Sequence, residues 1–203
     1  MTQAELAMRI ISTESQIAGN TIRSGALDNN DWDRVLTAVE KNAGAPLFID
    51  DTSGLSISLL RERVKQLMRR IKIEFIVVDY LQLLTSSSKR ASNREQEIAD
   101  IARGLKNLAK ESDAPVLALA QLNRAVEGRA TKRPMLSDLR ESGSIEQDAD
   151  NVLFIHRPGY YDAQEPQDLA EIIISKQRGG PTGIVNLHWC AELTRFSTSE
   201  NPY

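Results

Sequence analysis

The stretch Phe75-Ile-Val-Val-Asp79 decides the reading of this chain. Its four apolar residues run without alternation, the pattern of a strand buried on both faces, and an aspartate closes it. Val116-Leu-Ala-Leu-Ala-Gln121 repeats the pattern just after Pro115. Between the two, Ile98, Ile101, Leu105 and Leu108 recur at helical spacing. Upstream, Ile57, Leu60, Val64, Leu67, Met68 and Ile71 make one apolar stripe of a helix. The other side of that helix carries Arg61, Arg63, Lys65, Arg69, Arg70 and Lys72, which read as a solvated face. Helices alternating with wholly apolar strands predict an α/β fold, a mostly parallel sheet with helices on both faces.

Further out the signals are weaker. Thr2 and Glu5 have capping-box spacing, so the chain opens into a helix continued by Leu6, Ile10 and Ile17. A second helix is expected over 30–41 with Trp32, Leu36 and Val39 facing inward, and a short strand over 47–50. Residues 85–92 are serine-rich and read as a mobile loop. Residues 124–133 are basic without apolar periodicity and read as a long loop, and 157–167, with two prolines and two tyrosines, as a turn or loop. Strands are expected over 151–156, 171–175 and 184–189 and near 194–196, a strand-rich C-terminal edge. No repeat or linker composition divides the 203 residues, so one domain is expected.

Composition excludes several classes. Apolar residues are 41% and charged residues 26%, which is neither a disordered tail nor a fibrous repeat. No apolar run approaches the roughly 20 residues of a membrane-spanning helix, and residues 1–16 lack the unbroken apolar core of a signal peptide. The single cysteine, Cys190, cannot form an internal disulfide, so a reducing cytoplasm is the expected setting. A net charge of −3 neither requires nor forbids nucleic acid. His156, His188 and Cys190 are too few for a metal cluster, and no Ser/His/Asp arrangement can be argued from two histidines in strand-like segments.

In an open parallel sheet, ligands sit beyond the carboxyl ends of the strands. Asp79 there suits Mg²⁺ held near phosphates, or the cap of a turn. Gln121 suits a phosphate sensor, or a partner for loop amides. Lys176 and Arg178, two apart on an extended segment before Gly179, Gly180 and Gly183, put two cations on one face, for phosphate oxygens or as a solvated hairpin tip. Asp138-Leu-Arg-Glu-Ser-Gly-Ser-Ile-Glu-Gln-Asp148 is dense in charge, with amides near a helix start that favour an anion. With the basic segment 124–133 it makes either a backbone-tracking site for single-stranded nucleic acid or a solvated loop. Neither segment holds stacking aromatics, so reading of bases is not expected.

Taken together these segments resemble the C-terminal motor domain of the DnaB-type replicative DNA helicases, a RecA-like fold. The resemblance runs over nearly the whole chain. It rests on Ala45-Pro-Leu-Phe-Ile-Asp-Asp-Thr52, Phe75-Ile-Val-Val-Asp-Tyr-Leu-Gln-Leu83, Leu119-Ala-Gln-Leu-Asn-Arg-Ala125, the run Lys132-Arg-Pro-Met-Leu-Ser-Asp-Leu-Arg-Glu-Ser-Gly-Ser-Ile-Glu-Gln-Asp-Ala-Asp150 and Ile174-Ser-Lys-Gln-Arg-Gly-Gly-Pro-Thr-Gly183. It implies an ATP- and Mg²⁺-dependent ring, usually a homo-hexamer, that moves 5′ to 3′ on single-stranded DNA. By resemblance, Asp79 is the Walker B aspartate, Gln121 the γ-phosphate sensor, and Lys176 and Arg178 the finger pair reaching the neighbouring subunit's ATP. Arg140, Glu141 and Gly143 match the loop that grips the DNA backbone, and Arg9 is placed near the nucleotide base. A primase and a helicase loader are partners that the resemblance allows.

The departure from that pattern is at the start. The chain contains no G-x-x-x-x-G-K-[ST], the loop that cradles a triphosphate. In the family this loop precedes the matched segment, and the catalytic glutamate stands in a Ser-Leu-Glu-Met motif of which only Met1 is present. The expectation is a fragment, a truncated or split gene product, that alone neither binds Mg·ATP tightly nor hydrolyses it and is monomeric or weakly associated. Two other readings are a non-hydrolysing module for single-stranded DNA or protein, and another RecA-like ATPase; the 138–150 run argues against the latter.

Overall fold

The computed structural model describes residues 2–86 and 93–198, with the backbone alone over 140–144. Most of the expected loop 85–92 therefore lies outside the described residues. The backbone sorts into two compact units interleaved along the chain, one of residues 1–51, 157–172 and 185–203, the other of 52–156 and 173–184.

The first unit opens with α1 (Gln3–Ser15), α2 (Gly19–Ser24) and α3 (Asn29–Ala43). The expected capping box closes in both directions: the Glu5 N–H donates to Thr2 Oγ1 at 3.3 Å, and the Thr2 N–H donates to Glu5 Oε2 at 2.8 Å. Asp28 caps α3 by accepting the Asp31 N–H at 2.7 Å. The inner face of α3 is Val35 and Ala38, whereas Trp32, Leu36 and Val39 are exposed. The expected phase is thus off by one residue, because α3 carries two neighbouring apolar stripes and α1 packs against only one. The expected strand at 47–50 does not form: Leu47 and Phe48 are exposed, and the Gln3 side chain, not a neighbouring strand, donates to the Ile49 carbonyl at 2.9 Å. Within 157–167 the chain makes a short helix, α7 (Pro158–Tyr161).

The second unit holds α4 (Ile57–Met68), β1 (Ile76–Val78), α5 (Arg94–Ser112) and β2 (Val116–Ala118). It continues with α6 (Gly143–Asp148) and β3 (Asn151–His156). Strands β1 and β2 pair in parallel, Ile76 opposite Val116 and Val78 opposite Ala118. Ile76 and Val78 bury into a core with Ile57 and Val64 of α4 and Ile98, Ile101, Leu105 and Leu108 of α5. Each such side chain contributes about 1.5–3 kcal/mol on burial. The strands are not buried on both faces as expected: Phe75, Val77, Leu117, Leu119, Leu153 and Ile155 are exposed, because α4 and α5 cover only the Ile76/Val78 side. Where a loop was expected over 124–133, a 3₁₀ turn forms over Arg124–Gly128, and another covers Leu136–Ser142.

The last strands are β4 (Leu169–Gln177), β5 (Gly183–Cys190) and β6 (Arg195–Thr198). They form a four-stranded sheet in the order β3-β4-β5-β6, with β5 and β6 antiparallel, the expected strand-rich edge. No described helix is long and apolar enough to cross a membrane.

Candidate functional site

Parallel pairing puts the carboxyl ends of β1 and β2 on one rim, and with them Asp79 and Gln121. The strands are tied at that rim, where the Leu119 N–H donates to the Val78 carbonyl at 2.9 Å and the Leu81 N–H to the Leu119 carbonyl at 2.8 Å. Asp79 is exposed, and among the described residues no hydrogen bond or ion pair occupies its carboxylate. Such a carboxylate, fixed by a buried strand and open to solvent, fits a Mg²⁺ that takes its other ligands from phosphates and water. Among the described residues no cluster of three or more acidic, His or Cys groups could hold an ion without them.

Gln121 is held by its main chain. The Gln82 side-chain amide donates to the Gln121 carbonyl at 3.1 Å and accepts the Gln121 N–H at 3.3 Å. The Gln121 side chain is left exposed at the rim. Two residues on, the Asn123 N–H donates to the Asp138 carbonyl at 3.1 Å, joining β2's exit to the 3₁₀ turn over Leu136–Ser142. Asp138 is buried, and its Oδ2 accepts from the Met135 N–H at 2.8 Å and from Arg129 Nη2 at 2.5 Å. Arg140, Glu141 and Gly143 follow directly; their backbone runs through that turn into α6, and their side chains lie outside the described residues.

Lys176 and Arg178 both reach the far end of the same segment. The Lys176 ammonium donates to the Glu146 carbonyl and to the Ala149 carbonyl at 2.9 Å, capping the C-terminus of α6. Arg178 Nη1 donates to Asp150 Oδ1 at 3.1 Å, and the Arg178 N–H to the Asp150 carbonyl at 2.9 Å. Lys106 also pairs with Asp150. The Lys106 ammonium first, then the Arg178 guanidinium, holds the Asp150 carboxyl below the usual carboxylate range. The Arg178 side chain is nonetheless 77% exposed, with room to extend into solvent. Lys176 is less exposed and engaged within its own chain, which differs from a cation simply poised for a neighbour.

Arg9 lies on α1 in the other unit. It lines a cavity of about 660 Å³ with Arg23, Ser12, Asn20, Met8 and the 191–194 turn of the β5–β6 hairpin. The structure therefore gathers Asp79, Gln121, the 136–148 segment, Lys176 and Arg178 within one unit, and sets Arg9 in a recess of the other. Sequence reading missed Gln82, Asp138 and Asp150. Gln82 had one signal, a lone amide inside the apolar run Tyr80-Leu-Gln-Leu-Leu84.

The comparisons agree with this arrangement. A solved structure of a helicase-type ATPase domain superposes with a TM-score of 0.92 at 36% identity, over 98% of this chain and 71% of that one. A DnaB-like replicative helicase, described with its interactions with primase, superposes with a TM-score of 0.91 at 37% identity, over 98% of this chain and 48% of that one. Both likenesses fix the fold as the α/β ATPase-domain type. A probable replicative DNA helicase of Trieres chinensis is 46% identical over 201 residues, 97% of this chain and 44% of that protein. The replicative DNA helicase DnaC of Bacillus subtilis (strain 168) is 42% identical over 204 residues, 100% of this chain and 45% of that protein. The chain thus spans less than half the length of these relatives. The model of the DnaB-like helicase C-terminal domain matches residues 1–198, and the chain belongs to that family.

Proposed function

We propose that this chain is the motor portion of an ATP-dependent replicative DNA helicase, in which hydrolysis at the strand-end rim drives movement along single-stranded DNA. The observation that carries the reading is the common rim of Asp79 and Gln121, joined through Asn123 and Asp138 to the segment bearing Arg140, Glu141 and Gly143. Mg²⁺, when bound, neutralises charge that builds on the β- and γ-phosphates. Asp79 holds that ion, directly or through its water. The Gln121 side chain, unspent on protein partners, donates to or accepts from the γ-phosphate and its attacking water. Arg178 leaves Asp150 and extends to the ATP of an adjacent subunit, where its guanidinium stabilises charge developing in the transition state. Lys176 adds a second cation beside it. Arg140 and the amides around Gly143 hold the DNA backbone, with Glu141 shaping that loop. Arg9 and its recess take the base.

The reading calls for a homo-hexameric ring and for a loop that cradles the phosphates, which these 203 residues do not contain. The exposed apolar face of Val77 and Leu117 supports further structure packing there in the working protein. A primase is a partner by analogy with the DnaB-like helicase described with one; a loader follows from the family.

A fork-unwinding assay tests the proposal, using the chain alone and a chimera in which it replaces the matching part of the Bacillus subtilis relative. The chimera should unwind with ATP, Asp79→Asn should lower its turnover at least ~100-fold, and the chain alone should not turn over ATP. Full turnover by the Asp79→Asn chimera contradicts the reading. A chimera that binds single-stranded DNA without hydrolysis, losing affinity on Arg140→Ala, would favour a binding module instead.

A further inference from the structure

We infer that Gln82 is a positioning residue: it clamps Gln121 and carries displacement of that residue to the DNA-gripping segment, an inference that rests on the reading of the site given above. The side-chain amide of Gln82 uses both its polar atoms on one residue, donating to the Gln121 carbonyl at 3.1 Å and accepting its N–H at 3.3 Å. These two groups belong to the peptides on either side of the Gln121 Cα. Holding both fixes the direction in which the Gln121 side chain leaves the backbone. An apolar residue at 82 would leave both groups without this partner.

The clamp is itself anchored next to Asp79. Gln82 sits in the single 3₁₀ turn Leu81–Leu83 that follows Asp79-Tyr80, and neighbouring Leu81 is 2% exposed. Arg94 Nη2 donates to the Gln82 carbonyl at 2.7 Å, and Arg94 is in turn paired with Glu97. On the far side, Gln121 leads through Leu122 to Asn123, whose N–H donates to the Asp138 carbonyl at 3.1 Å. A continuous path of covalent and hydrogen bonds therefore runs from the Asp79 turn to the segment Leu136–Ser142. Gln82, Gln121, Asn123 and Asp138 also line a shared cavity of about 120 Å³, which leaves the amide room to shift with Gln121.

Two measurements on the 203-residue chain test this: amide hydrogen exchange at Gln121 and Asn123, and anisotropy of a labelled oligo(dT) across a range of KCl. Gln82→Met should lower protection at Gln121 about tenfold and weaken oligo(dT) binding several-fold. The slope of log K against log salt should stay that of the wild type, whereas Arg140→Ala should reduce it by about 0.7, the loss of one single-strand phosphate contact. Gln82→Glu keeps the acceptor and should preserve most of the Gln121 protection, with intermediate affinity. Protection at Ile101 and Leu105 should be unchanged in both variants, which separates loss of the clamp from loss of the fold. Unchanged Gln121 protection in Gln82→Met overturns the clamp, and lost protection with affinity within about twofold of wild type overturns the coupling. If the wild-type chain does not bind oligo(dT), the DNA reading fails and the coupling with it, while exchange at Gln121 still decides the clamp.

Discussion

Asp150 is the residue where two reaches of the chain meet: it pairs with Lys106 of α5 and with Arg178 beyond β4. Its folded pKa is lowered, Lys106 contributing first and Arg178 second. The stability it contributes is therefore present above the ordinary carboxylate range and is lost as pH falls through the lower, folded value. Because the carboxylate is 48% exposed, the contribution is small and screened by salt. Thermal unfolding followed from about pH 7 to about pH 2 at low salt should show Asp150→Asn with a slightly lower midpoint at neutral pH and a shallower decline below about pH 4; an unchanged profile would rule the pairing out. Beside it, Lys176→Met should speed amide exchange over residues 145–149, with partial rescue by Lys176→Arg, since the bonds lost go to the α6 carbonyls. Asp79 and Gln121 were legible in sequence because an apolar strand ending in a polar residue marks the ligand rim. The anchoring of Lys176 was not, because its partners are main-chain carbonyls 30 and 27 residues away, and a carbonyl leaves no trace in residue identity.

At the scale of elements, the long helices were read well and the irregular pieces poorly. Helix α5 buries Ile98, Ile101, Leu105 and Leu108, the same stripe that periodicity marked. Helix α3 shows the limit: two adjacent apolar stripes satisfy the same helical period, and only packing against α1 selects Val35 and Ala38. The segment at 47–50 failed because apolar content does not make a strand without a partner edge. Packing of α4 on α5 is close at Gly104, where an added Cβ would overlap Ile57 Cγ1. Gly104→Ala should destabilise by about 1–3 kcal/mol in urea unfolding despite alanine's better helix propensity. The double variant with Ile57→Val should recover part of that loss; an additive or larger loss would show that the contact is not the cause.

On the scale of the whole molecule, family membership and the parallel rim were legible because they rest on contiguous motifs. The division into two interleaved units was not, since the chain passes between them at 172/173 and 184/185, within strands that show no change of composition. Nor was the bare face of β1, β2 and β3 visible, because burial on the second side depends on structure these residues do not themselves provide. The central claim is that one rim both senses the triphosphate and moves the DNA-gripping segment. It is tested most directly by steady-state ATP hydrolysis of the Bacillus subtilis chimera carrying Gln121→Ala, with and without single-stranded DNA. The account predicts that basal hydrolysis persists while stimulation by DNA disappears. DNA stimulation equal to that of the unsubstituted chimera would contradict it.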